Sequence, residues 1–189
     1  MQFDAQTVIN IPVKRVGSIY VPGNEKVKIT GRGIAVLIDA KTGKIKKVIH
    51  GKNVVSLVGE IYYAQRGANE SPTYDFTSGG MKLGTGTTTP TQSDTDIETD
   101  IGSSYKTMFS GYPKSNDTES GGGATNKVTY KVYWDTTEAN ASNISEAVIV
   151  TDSGAPPSGL LCRLLFSTPF EKTSAENLVV YIHHEKSGV

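Results

Sequence analysis

The chain has 189 residues, 37% of them hydrophobic, with 19 basic and 19 acidic side chains and a formal net charge of zero. That length buries one sizeable core and makes a single domain the default. The even charge balance gives no pull toward nucleic acid or an anionic membrane, so neither is expected as a partner.

Short apolar stretches mark the first 26 residues, where Val8, Ile9, Ile11, Val13, Ile19, Tyr20 and Val21 are interrupted by Pro12, Gly17, Pro22 and Gly23. This reads as an extended arm, residues 1–26, that needs a surface to lie on, in its own domain or in a neighbouring subunit. Residues 27–189 read as one β domain. The run at 33–39 (GIAVLID) alternates, and a second run at 44–50 follows Ala40, Lys41, Thr42 and Gly43, which predicts a β-hairpin. In VVSLVGEIYYAQRG, Val54, Leu57, Val58, Ile61 and Tyr62 recur at helical spacing, with Ser56 placed as a cap and Gly67 as a stop. This is the one helix expected, although Gly59 inside it costs about 1 kcal/mol.

From 68 to 101 the chain is rich in Thr, Ser, Gly and Asp, with a short strand predicted at 80–83. A further strand is predicted at 105–112, followed by a polar, glycine-rich loop at 113–126. The segment KVTYKVYWD then alternates with period 2, which puts Val128, Tyr130, Val132 and Trp134 on the core side. Lys127, Thr129, Lys131 and Tyr133 face water or a partner. Strands at 146–151, 160–166 and 177–184 complete the set. Short strands joined by turns predict a mainly β protein, an antiparallel β-sandwich with one packed α-helix and an extended N-terminal arm.

The 20 glycines suit such a turn-rich fold, and the single cysteine, Cys162, excludes an internal disulfide and a cysteine-based zinc site. A reducing compartment follows, as does a soluble chain, because the first residues lack a leader's apolar run and no stretch of about 18 apolar residues occurs. GTGTTTP invites comparison with phosphate loops, but Gly84 and Gly86 are separated by one residue and no lysine follows, so the segment reads as a structured turn. Asp94, Asp96, Glu98 and Asp100 raise the question of calcium. An EF-hand would need glycine where Thr99 sits and glutamate where Tyr105 sits, so the expectation is a capped turn at Ser93 or Asp94 with the other acids in solvent. His183 and His184 are adjacent on a strand and point to opposite faces, so they cannot share a metal. Asn69, Asn116, Asn140 and Asn143 begin glycosylation triplets that read only as loop composition. The residues announce no catalytic constellation, metal site or cofactor site.

The order of segments carries a resemblance. MKLGTGTTTPTQSDTDI, then YKVYWD, then LLCRLLFSTPFEKTSAENLVVYIHH is similar to a group of tailed-bacteriophage virion proteins, over about residues 33–184. Asp96 departs from that pattern, which usually has an apolar or small residue there, and the long arm is an addition. The resemblance implies a non-enzymatic structural protein of the phage particle, made in the host bacterial cytoplasm and resident in the virion. A capsid decoration or cement protein is the leading form, with a tail, collar or fibre component as the alternative. Implied partners are major capsid or tail proteins and further copies of the chain. Contacts are expected through the sandwich surface and through arm residues Val8, Ile9, Ile11, Val13, Ile19, Tyr20 and Val21. A rival reading is a carbohydrate-binding sandwich that uses Tyr105, Tyr112, Tyr133 or Tyr181 as stacking platforms.

Overall fold

The computed structural model describes residues 28–115, 125–152 and 159–187. The expected arm and most of the expected loop at 113–126 lie outside them. Residues Ile29–Lys186 form one compact unit. Among the described residues eight strands and one helix follow in order: β1 (Lys28–Asp39), β2 (Ile45–Val55), α1 (Leu57–Gly67), β3 (Gly80–Gly84), β4 (Lys106–Thr107), β5 (Lys127–Trp134), β6 (Ala141–Val150), β7 (Leu160–Lys172) and β8 (Glu176–Ser187).

The mainly β, antiparallel architecture with one packed helix is the one expected. Its two layers belong to a single eight-stranded sheet ordered β4-β3-β6-β7-β2-β1-β8-β5. The sheet curls until its ends meet. Just after β4, Phe109 donates its amide to Lys131 O at 2.8 Å, and Lys114 and Thr129 exchange backbone bonds at 3.0 and 2.8 Å, which nearly closes a barrel. Ala35, Ile49, Leu83, Val132, Trp134, Ile149, Leu164 and Val180 fill the interior.

The β1–β2 hairpin is held by its own loop. Asp39 Oδ1 accepts from the Thr42 amide and hydroxyl, both at 2.8 Å, and Gly43 takes a φ of 69°, which only glycine adopts freely. β7 and β8 flank this hairpin, so the short connection between them crosses its end. There Ala40 donates its amide to Ala175 O at 3.0 Å and Lys46 forms an ion pair with Glu176.

Helix α1 begins where expected. Ser56 Oγ accepts from the Gly59 amide at 3.0 Å and donates to Leu160 O at 2.6 Å, so one hydroxyl caps the helix and ties it to β7. Gly59 is explained by that closeness: a Cβ there would lie 2.3 Å from Leu161 O. The buried face is rotated from the predicted one. Gly59, Tyr62 and Tyr63 are buried while Leu57 and Ile61 are exposed, because the aromatic pair packs into the interior against Phe76 and His184.

Three strand expectations change. Of 105–112 only Lys106–Thr107 is strand, since Gly111 at φ 83° and the turn before Pro113 redirect the chain. β7 runs on to Lys172 through Pro169, which the chain tolerates between the register breaks of β6 and β7, where no ladder donor is needed. Buried Lys172 then donates to Asp135 O at 2.7 Å and to Asn140 Oδ1 at 2.8 Å, fastening the β5–β6 turn. Finally, Thr129 and Lys131 on the outward side of β5 are buried, not open to water.

Candidate functional site

Two polar clusters are built into the sheet, one on its outer face and one inside. On the outer face stand Arg163 of β7 and Glu146 of β6. Their side chains are 4% and 0% exposed, and Arg163 Nε donates to Glu146 Oε2 at 2.7 Å. A charge buried this deeply requires a partner, and each supplies the other's. The segment from Gly84 to Tyr105 covers the pair. Glu146 Oε1 accepts from the amides of Gly86 and Thr99, both at 2.9 Å, and the Arg163 guanidinium reaches Asp94 Oδ2 at 3.1 Å and Glu98 Oε2 at 2.5 Å. Thr88 bonds to both sides, donating its amide and hydroxyl to Glu98 and accepting from Arg163. Ile97 and Tyr105 pack on Val148, Val150 and Leu160, a small second core beneath the same segment.

The glycines of GTGTTTP now have a reason. A Cβ on Gly84 or Gly86 would fall 2.5 or 2.4 Å from Glu146 Oε1, so only glycine lets the backbone approach the buried carboxylate. The charges adjust accordingly. Burial opposes ionisation of Asp94, but Thr91 and Arg163 outweigh it and hold its pKa below the usual carboxylate range. The Thr88 amide and hydroxyl, then Arg163, do the same for Glu98. Burial also opposes charge on Arg163, and Glu146 and Asp94 more than offset it. Glu98 is exposed as expected but also pairs with Arg163, and Asp94 is half-buried and binds the guanidinium besides closing the turn at Thr91. The cation these carboxylates hold is Arg163. No cluster of three metal-ligating side chains occurs among the described residues.

The second cluster is a buried chain beneath α1. Asn53 Nδ2 donates to His184 Nε2 at 2.5 Å, His184 Nδ1 lies 2.5 Å from Tyr63 Oη, and Tyr63 Oη lies 2.9 Å from Tyr130 Oη. With Nε2 accepting, the imidazole proton sits on Nδ1 and the chain runs Asn53 to His184 to Tyr63 to Tyr130. Burial, with His183 nearby, pushes the His184 pKa down to about 3, so the ring is neutral. The Asn53 amide also lies against the Cys162 thiol, which burial pushes up to about 12 and leaves unreactive. Asn53 Oδ1 has no hydrogen-bond partner among the described residues. Above this chain lies a cavity of about 450 Å³, with Tyr62, Tyr63, Tyr130, Ile29 and Val128 in its lining.

The partner-binding residues expected in the arm, Val8, Ile9, Ile11, Val13, Ile19, Tyr20 and Val21, lie outside the described residues. His183 and His184 do face opposite sides. His183 meets Thr129 Oγ1 at 3.0 Å and stacks on Tyr181, while His50 is exposed on the hairpin. Of the four tyrosines considered as sugar platforms, Tyr112 and Tyr181 come together, with Phe109, around the Lys131 ammonium at 4.4 to 5.6 Å from the ring centres. Those rings face a cation. Tyr105 packs in the second core. Sequence reasoning missed Arg163 and Glu146. The available signal was a lone arginine in LLCRLLF and a lone glutamate before AVIVT, two charges in strands otherwise too apolar to be exposed.

Among the described residues no helix is long and apolar enough to cross a membrane. No protein-family model, curated protein or solved structure matches the chain.

Proposed function

We propose that the chain is a structural protein of a bacteriophage particle, docked on the shell as a decoration protein. The observation that carries this reading beyond the sequence resemblance is the projecting half of the β1–β2 hairpin. β7 pairs with β2 only from Gly51 to Val55, so among the described residues β2 has no strand on its other side from Ile45 to His50. Ile45 is 64% and Val48 46% exposed on that stretch. An open edge with apolar side chains is a surface for another chain. The carboxylates that could have held a metal serve Arg163 instead, which supports a structural role for the GTGTTTPTQSDT segment. An extended arm, the sequence expectation for residues 1–26, would add reach, and repeated particle sites favour a homo-oligomer.

The test is to mix the purified full chain with empty heads and, separately, with isolated tails of its phage, and to sediment each. The reading expects co-sedimentation with heads and loss of occupancy when residues 1–26 are deleted. Binding to tails alone would move the protein to the tail or collar, and binding to neither would reject a particle role. Full occupancy after the deletion would remove the arm from the account.

A further inference from the structure

The projecting half of the β1–β2 hairpin carries charge of one sign. Residues 40–48 are exposed without a break, and among them stand Lys41, Lys44, Lys46 and Lys47 but no Asp or Glu. Lys46 pairs with Glu176, and Asp39 at the base of the loop is taken up by Thr42 and the Lys41 amide. Lys41, Lys44 and Lys47 form no ion pair among the described residues. The tip meets the β7–β8 connection, at the end of the sheet opposite to Lys28, Lys127 and Val150, beside which the described stretches break off.

The backbone adds a second, independent observation. β7 leaves β2 at Gly51, opposite Phe166, and the β1–β2 ladder slips by one residue at Lys46. The regular open edge is therefore Lys47–His50, whose N–H and C=O groups on that side can take a further strand. Val48 stands opposite Val36 and Lys47 opposite Leu37, on the two faces of the sheet. A strand laid on this edge meets an apolar side chain on one face and an ammonium on the other.

We propose that this edge takes an acidic extended segment of another protein by strand addition. An apolar residue of that segment packs beside Val48, and its carboxylates meet Lys47 and, past the slip, Lys44. Charge decides between occupants. A second hairpin would set lysines against lysines, and the chain's own first residues, with Lys14, Arg15 and Lys26 against Asp4 and Glu25, bring no negative surplus. An anionic lipid surface would satisfy the ammonium groups but leave the backbone groups of the edge unbonded. The inference rests on the hairpin as the docking surface and adds the chemistry of what docks there.

The test uses the full chain with the capped peptide EVEVEV, its neutral counterpart QVQVQV, and vesicles of phosphatidylserine and phosphatidylcholine, followed by amide NMR shifts, hydrogen exchange and calorimetry. The expected result is saturable binding of EVEVEV with shifts centred on Lys47–His50, slowed exchange at alternate amides there, and about tenfold weaker binding of QVQVQV. Lys44→Gln/Lys47→Gln should weaken EVEVEV about tenfold at an unchanged melting temperature, since both side chains are exposed. If that variant fails to fold, each single change should give part of the loss. No saturable shift at millimolar EVEVEV, equal binding of the two peptides, unchanged affinity in the lysine variants, or binding without slowed exchange would each overturn the proposal. Binding of vesicles and of neither peptide would assign the hairpin to a lipid surface and overturn it as well. If EVEVEV fails to bind while Ile45→Ser/Val48→Ser still lowers occupancy on heads, the docking surface stands and its acidic partner falls. If EVEVEV binds while that occupancy holds, the strand site stands and the particle reading falls.

Discussion

His184 shows how burial sets the charge of a single residue. Held at about 3, its pKa lies far below the ordinary imidazole value of 6.5. Below pH 6.5 the unfolded chain takes up a proton that the folded chain refuses, so this contribution to stability is complete above pH 6.5 and is lost as pH falls toward 3. The slope is about 1.4 kcal/mol per pH unit. Urea unfolding at pH 7 and pH 5 should therefore differ by about 2 kcal/mol. His184→Gln, which keeps a donor and an acceptor, should flatten that difference; an undiminished slope in the variant would assign the loss to another group. Glu176 acts in a separate, more acidic window. The Lys46 ammonium, then the Thr173 hydroxyl, depress it to about 2, so its contribution is complete above about 4.5 and fades as pH falls below that.

At the scale of elements, the segment over β6 and β7 behaves as a cover fastened to two buried charges. Replacing Arg163 by Met would leave the buried Glu146 side chain without its partner, a change that costs about 3–5 kcal/mol. Hydrogen exchange at the Gly86 and Thr99 amides should then speed up with the cover released, while added calcium should leave the wild-type melting temperature where it was. A calcium-dependent rise would return Asp94 and Glu98 to a metal. What sequence could reveal here follows physical range. The alternation of 127–134 and the capped helix from Ser56 are local signals, and both were legible. The run of β7 past Pro169 was not, because its partners are residues of β6 from Ala141 to Ile144. The rotated face of α1 was hidden as well: spacing marks apolar positions, but Tyr63 is drawn inward by His184, far along the chain. Arg163 was missed because its partners, Glu146 of β6 and Asp94 and Glu98 of the covering segment, are distant in the sequence.

Over the whole molecule, one curled sheet puts its charged groups to work on its own loops, and among the described residues its exposed large apolar side chains are Ile45 and Val48 of the projecting hairpin, Leu57 and Ile61 of α1, and Phe109 after β4. Lysines at 41, 44, 46, 47 and 52 surround that hairpin and discourage indiscriminate edge pairing, so a partner has to match both its apolar side chains and its charge. The most direct measurement is particle occupancy of the variant Ile45→Ser/Val48→Ser. Both side chains are already exposed, so the melting temperature should hold while occupancy on empty heads falls about tenfold or more. Wild-type occupancy in this variant, at unchanged stability, would contradict the claim that the hairpin is the docking surface.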